Sequence, residues 1–161
     1  MSVTSLDKDL ANLTLTLVAD FEAPADRVWQ LWADPRQLER WWGPPSFPAT
    51  VEEHDLTPGG NVTYFMTGPE GEKFRGWWRI TSVDQPASLE FADGFADEDG
   101  APVDDMPTTM MQMRLIEHDG GTRMELRSAF DCWEQMQQLV SMGMAEGLQQ
   151  AVGQMDALLA G

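Results

Sequence analysis

From Leu13 the chain alternates: Leu13, Leu15, Leu17, Ala19 and Phe21 are interleaved with Thr14, Thr16, Val18 and Asp20. A period of two predicts a strand with one buried face. Pro24 and Asp26 then suit the first turn of a helix, and Val28, Leu31 and Trp32 recur at helical spacing until Asp34-Pro35. Pro35 opens a second short helix through Leu38 and Trp41, which Gly43-Pro44-Pro45 ends. From Ala49 the turn signals Pro58-Gly59-Gly60, Gly68-Pro69-Glu70-Gly71, Gln85-Pro86 and His118-Asp119-Gly120-Gly121 separate further strands. Their inward faces are Val62, Tyr64 and Met66; Phe74, Gly76, Trp78 and Ile80; Leu89 and Phe91; Met111, Met113 and Leu115; Met124, Leu126, Ser128 and Phe130. The opposite faces carry Lys73, Arg75, Arg79, Gln112, Arg114, Arg123, Glu125 and Arg127, interrupted by the apolar Phe65 and Trp77. One face is wet and the other covered.

Asp131 is placed to cap a final helix, along which Trp133, Met136, Val140, Met144, Gly147 or Leu148, Ala151, Met155 and Leu158 form an apolar stripe to about Leu159. Such a helix is about 40 Å long at about 1.5 Å per residue, enough to cross a whole sheet. The stretch from Ala92 to Pro107, rich in acids, glycine and proline, has no period and reads as a loop. The pattern predicts an α+β fold: a curved antiparallel sheet of six to seven strands around a long C-terminal helix, with two short helices after the first strand.

A chain of 161 residues with no repeat or linker makes one domain, 1–161, with its core at about 12–160 and residues 1–10 flexible. No apolar run approaches a membrane span of about 20 residues. Asp7, Lys8 and Asp9 stand where a secretory signal would be apolar, so a cytoplasmic protein is expected. Cys132 is the single cysteine, so no intrachain disulfide forms. The formal charge of −17 repels nucleic-acid phosphates and anionic membranes.

Few motifs carry chemistry. His54, His118 and Cys132 are too dispersed for zinc, and Asp97-Glu98-Asp99-Gly100 lacks the ligand spacing of a calcium loop, so no metal is expected. Gly68-Pro69-Glu70-Gly71 has the wrong glycine spacing for a phosphate loop, and no Gly-x-Ser-x-Gly elbow occurs. No cofactor is expected. What stands out is apolar: seven tryptophans, seven phenylalanines and eleven methionines. Methionine walls repack around varied shapes, and the last helix supplies Met136, Met142, Met144 and Met155. Gly143 and Gly147, one turn apart, either bring that helix close to a neighbour or leave room for a guest. Among polar groups, Glu53 and Tyr64 are candidates to face an interior, and Cys132 stands at a helix start, where a thiol pKa can fall.

Several segments resemble the activator of heat-shock protein 90 ATPase C-terminal-like family of the START-like (SRPBCC, birch-pollen-allergen-like) superfamily. They are Ala23-Pro24-Ala25-Asp26-Arg27-Val28-Trp29, Leu38-Glu39-Arg40-Trp41-Trp42-Gly43-Pro44, Asp55-Leu56-Thr57-Pro58-Gly59-Gly60, Phe74-Arg75-Gly76-Trp77-Trp78-Arg79-Ile80 and Met142-Gly143-Met144-Ala145-Glu146-Gly147-Leu148. The resemblance runs from Leu13 to Leu159 and implies a helix-grip fold with a cavity between sheet and helix. The superfamily includes lipid and sterol carriers, polyketide cyclases and proteins that sequester natural products, so the fold fixes no chemistry. The co-chaperone behind the family name has an additional N-terminal domain for which this chain has no room, which argues against direct ATPase activation.

Inward periodicity and the resemblance together predict a non-catalytic carrier of a small apolar molecule. The sheet would line its cavity with Tyr64, Phe74, Trp78, Phe91, Met111 and Met113, the second short helix with Trp41, and the last helix with Met136, Val140 and Met144. A cyclase- or aromatase-like enzyme using Tyr64, Glu53 or Cys132 is the second reading. It requires a polar group facing the cavity with a strongly perturbed pKa. The third is an interaction module that meets a chaperone, or a second copy in a homodimer, through an apolar patch around Phe65 and Trp77.

Overall fold

A computed structural model describes residues 3–160. Its strands are β1 (Val3–Asp9), β2 (Thr14–Phe21), β3 (Ala49–His54), β4 (Asn61–Thr67), β5 (Lys73–Asp84), β6 (Ser88–Ala96), β7 (Thr109–His118) and β8 (Gly121–Ala129). They form one sheet in the order β1-β2-β8-β7-β6-β5-β4-β3, with antiparallel neighbours throughout. Helices α1 (Ala25–Ala33) and α2 (Pro35–Leu38) follow β2, and α3 (Trp133–Ser141), α4 (Met144–Gly153) and α5 (Met155–Ala160) end the chain. No described helix is long and apolar enough to cross a membrane.

The added strand is β1. The sequence predicts residues 1–10 to be flexible, yet residues 3–9 pair with β2, and Met1 and Ser2 lie outside the described residues. Charge on an edge strand is compatible with pairing on its inner side and discourages pairing on its outer one. Val3 and Leu6 are the side chains that pack toward the core.

The C-terminal helix differs from expectation more. It is not continuous: Gly143 adopts φ 89°, a left-handed conformation that glycine reaches without steric cost, and splits α3 from α4. A Cβ at Gly143 or Gly147 would meet nothing within 4 Å, so neither glycine marks a close helix approach. Cys132, rather than Asp131, occupies the N-cap of α3, without a side-chain capping bond. Trp133, expected in the buried stripe, is exposed.

Two buried apolar clusters fill the concave side. The larger joins β2 to β8 with α1, α2, α4 and α5, and includes Leu17, Trp32, Trp41, Trp78, Phe91 and Val152. The smaller lies under α3 and contains Leu15, Phe130, Met136, Leu139 and Ala145. Polar ties fix the helices over the sheet. Gln154 donates to the carbonyls of Trp41 (3.2 Å) and Gly43 (2.7 Å), and Arg27 donates to the Leu158 carbonyl at 2.8 Å. The last of these satisfies a terminal helix carbonyl with a cation, favourable at a helix C-terminus.

Candidate functional site

The centre of the concave face is aromatic. Trp78 stacks on Phe91 with ring centroids 4.1 Å apart, Trp42 meets Trp78 edge-on at 4.8 Å, and Trp32 meets Trp41 edge-on at 4.7 Å. The Trp41 indole donates to the Leu31 carbonyl at 2.8 Å, which fixes that ring. The other central indoles differ. Nε1 of Trp32 is buried and has no hydrogen-bond partner, an unfavourable state for an N–H donor, whereas the buried Nε1 groups of Trp42 and Trp78 are directed at the Tyr64 hydroxyl without reaching well-formed hydrogen-bond geometry.

A row of polar or small residues crosses the concave face between the two apolar clusters. It comprises Tyr64 on β4, Gly76 on β5, Asp93 on β6, Thr109 on β7 and Ser128 on β8. Register staggers it diagonally: Tyr64 faces Gly76 across the ladder, Asp93 stands one rank on beside Trp78 and Thr109, and Ser128 one rank further, level with Met111 and Phe91. On β2, Leu17 belongs to the larger cluster and Leu15 to the smaller, and on β8 Leu126 and Phe130 divide in the same way around Ser128. Ser128 and Thr109 are buried, and the Ser128 hydroxyl donates to the Met111 sulfur at 3.1 Å.

Tyr64 and Asp93 are the chemical centre of this row. The Tyr64 hydroxyl donates to Asp93 Oδ1 at 3.2 Å. The phenol ring lies across Gly76, where any side chain would collide with its hydroxyl, so glycine at 76 is what lets the ring lie there. Burial raises the Asp93 carboxyl from an ordinary 3.8 to about 7, against a smaller opposing effect of the Tyr64 hydrogen bond. Burial, reinforced by the neighbouring Asp93 charge, pushes the Tyr64 phenol well above its usual value, while the Trp42 and Trp78 indoles act in the opposite sense. Near neutrality the pair therefore holds either two protons or one.

Several inward-facing side chains of the sheet and of the helices over it remain partly open. Asp93, Phe95, Met66, Val140 and Met144 are half-buried, and Phe74 is 54% exposed while packing edge-on against Phe47 at 5.8 Å. Phe74, expected inside, is thus corrected to the rim: it shares the concave face with Gly76 and Trp78 but lies beyond the helices. Of the other residues expected to line a cavity, Trp41, Trp78, Phe91, Met111 and Met113 are packed in the larger cluster. Met136 is buried in the smaller cluster, with Val140 and Met144 packed against it.

Two of the three candidate reactive groups lie elsewhere. A register shift between Val51 and Glu53 turns Glu53 to the exposed side, and Cys132 is half-buried at the start of α3. Asp93 was missed. Asp93 falls in the stretch from Ala92 to Pro107 that reads as a loop because it is rich in acids, glycine and proline and has no sustained period. The strand continues because Gly94 gives room to the Trp77 ring on the outer face, where Trp77 Nε1 donates to the Phe95 carbonyl at 3.0 Å. Leu89, Phe91, Asp93 and Phe95 continue the alternation and were the available signal.

The outer face offers no open aromatic patch at the expected place. Trp77 covers Gly94, and Phe65 lies beneath Lys73 Nζ at 4.5 Å and the Arg75 guanidinium at 5.1 Å. At the far end of the bowl, an open cleft of about 860 Å³ is lined by Asp20, His118, Asp119, Gly121, Asp156 and Leu159. Arg123 holds Asp20 through two hydrogen bonds, 2.8 and 3.1 Å, and this hydrogen bonding is the main cause of the lowered Asp20 pKa. That cleft is polar and suits no apolar guest. Among the described residues no group of three or more His, Cys, Asp or Glu is placed to hold a metal ion.

An antiparallel sheet curved around C-terminal helices, with two small helices after an early strand, defines the helix-grip class of α+β proteins. The chain belongs to the family described as "Activator of Hsp90 ATPase homolog 1-like protein", whose model matches residues 22–160. It is similar to protein Ms6760 from Mycobacterium smegmatis, a crystal structure, at 55% identity over 98% of this chain and 96% of that one, TM-score 0.91. The solution structure of a protein from Arthrobacter aurescens is 52% identical over 99% of this chain and 92% of that one, TM-score 0.95. A solution structure from Staphylococcus epidermidis shares the fold at 24% identity, covering 98% and 94% of the two chains, TM-score 0.84. No curated protein matches the chain.

Proposed function

We propose that the protein binds a small, largely apolar molecule on its concave face, with the ligand lying along the polar row beneath α3. The observation that carries this reading is the Tyr64–Asp93 pair, joined at 3.2 Å and set among tryptophans, with the half-buried Phe95 next on the same face of β6 and packed, like Val140 and Met144, against the cluster under α3. An apolar wall with one convergent polar group is the usual composition of a small-molecule site. Burial of ligand surface supplies the affinity, at roughly 25 cal/mol per Å². The break at Gly143 separates the helix over the smaller cluster from the one over the larger, so α3 can shift as a unit to admit a guest.

Native mass spectrometry of the purified protein, followed by denaturation and weighing of what is released, tests this. A stoichiometric apolar molecule is expected, or uptake of an added naphthalene derivative by ligand-free protein. Protein that is ligand-free and takes up no such compound contradicts the reading. A cyclase-like activity is a second reading, favoured now by Asp93, whose carboxyl sits near 7, rather than by Glu53 or Cys132. A released molecule that is converted on incubation with fresh protein would establish it.

A further inference from the structure

We infer that the outward face of α3 is a self-docking surface, on which a second copy of this chain packs its own α3 antiparallel about a two-fold axis. Trp133 at the start of the helix is 53% exposed, and Met142, which caps its end in a helical conformation, is 57% exposed. Between them Glu134, Gln137, Gln138 and Ser141 are exposed, while Met136 and Leu139 are buried against the smaller cluster. Tryptophan and methionine are enriched at the centres of protein interfaces, and charge is depleted there.

Charge selects the occupant. A chain of formal charge −17 repels its own copy wherever acids meet. The β6–β7 loop exposes Asp97, Glu98, Asp99, Asp104 and Asp105, and the cleft at the far end of the bowl is lined by Asp20, Asp119 and Asp156. Helix α3 differs: no charged residue occurs from Gln135 to Ala145, and no lysine or arginine follows Arg127. Such a face offers no pairing to a strongly acidic partner and only Glu134 to a basic one. A second copy presents the same uncharged face and meets it without repulsion.

The order of side chains along the helix sets the arrangement. In a two-fold contact, residue i of one copy meets residue j of the other and the reverse holds. With the axis between Gln137 and Gln138, Trp133 of each copy lies on Met142 of the other, at opposite margins of the face, and the thioether meets the indole. The Gln137 and Gln138 amides, each donor and acceptor, meet at the centre. Ser141 needs no partner across the contact because its hydroxyl donates to the Gln138 carbonyl at 2.8 Å. Antiparallel packing also keeps the two Glu134 carboxylates about 10 Å apart along the helix, beyond a Debye length of about 8 Å, whereas parallel packing would juxtapose them. A nine-residue helix is short, so the buried area falls below about 1,200 Å² and the dimer is a transient one.

Sedimentation velocity of the full chain, from about 5 to about 500 µM at about 0.15 M salt, tests this. The sedimentation coefficient is expected to rise with concentration from the monomer toward the dimer. Trp133→Glu and Gln138→Glu are each expected to weaken association at least about tenfold. An unchanged thermal midpoint at low concentration reports that both variants are folded. Gln138→Lys is expected to weaken self-association as well, and an equimolar mixture of Gln138→Lys with Gln138→Glu to restore it. A protein that stays monomeric at about 500 µM overturns the inference. So does a dimer that is indifferent to Trp133→Glu and both Gln138 variants, since it forms through another face.

Discussion

Trp78→Ala is expected to cost about 3 to 5 kcal/mol of folding stability, the range for deleting a fully enclosed large aromatic side chain. Trp78 is 0% exposed, stacks on Phe91 at 4.1 Å and meets Trp42 at 4.8 Å, so its removal takes away the centre of the aromatic group in the larger cluster. Single domains have only about 5 to 15 kcal/mol to lose. Urea unfolding followed by circular dichroism measures the change, with a lower midpoint at an unchanged slope. Trp133→Ala is the control: Trp133 is 53% exposed, and its loss should change stability by no more than about 0.5 kcal/mol. A Trp78→Ala cost below about 1 kcal/mol would mean that the aromatic centre is loosely packed in solution.

Asp93→Asn should stabilise the protein, and more so as the pH rises. The sign follows from where the proton sits. In the unfolded chain Asp93 releases its proton near 3.8, whereas the folded protein keeps it to about 7. Between those values the folded state binds more protons, so the wild type loses stability as pH rises through the window and carries a constant penalty above it. A change from 3.8 to about 7, at about 1.4 kcal/mol per tenfold, corresponds to a penalty on the order of 4 kcal/mol at pH 8. The variant cannot ionise there. Its advantage over wild type should be near zero at pH 3.5, grow between pH 4 and 7, and then level off. Paired urea titrations at pH 3.5, 5.5 and 8 measure it, and an advantage that does not depend on pH would show that Asp93 titrates as an ordinary carboxyl. A natural protein that keeps such a costly group has it where function, rather than stability, requires it.

The fold was legible because its strands alternate cleanly. The runs Leu15-Leu17-Ala19 and Met111-Met113-Leu115 each lie on a buried face, while the residues between them are half-buried on β2 and half-buried or exposed on β7. What sequence reading missed was decided by tertiary contacts. The first strand is short and charged and becomes a strand only because β2 offers it an edge. The final helix kept its apolar period across Gly143, and periodicity does not register one residue turning left-handed. Phe74 belongs to the right face, but how far the helices extend over that face is not encoded in alternation.

The candidate site was half legible. Tyr64 is the single tyrosine and lies on an inward face, so it could be named from the sequence. Asp93 could not, because it stands in an acid-, glycine- and proline-rich stretch without a sustained period, and an isolated carboxylate is ordinarily solvated. Both defaults are overridden here by specific partners: Trp77 fills the space over Gly94, and the Tyr64 hydroxyl satisfies Asp93. Glu53 failed for the opposite reason, since one bulge exchanges the faces of β3.

An apolar ligand entering beside Tyr64 and Asp93 is reported directly by the indole N–H signals of the seven tryptophans. In a proton–nitrogen correlation spectrum recorded during titration with 2-acetonaphthone at pH 5.5, the indole signals of Trp42 and Trp78 should move most, with those of Trp77 and Trp133 unchanged. Shifts confined to Trp133 and Trp77, with Trp42 and Trp78 unmoved at saturation, would place the ligand on the outer surface and contradict the account.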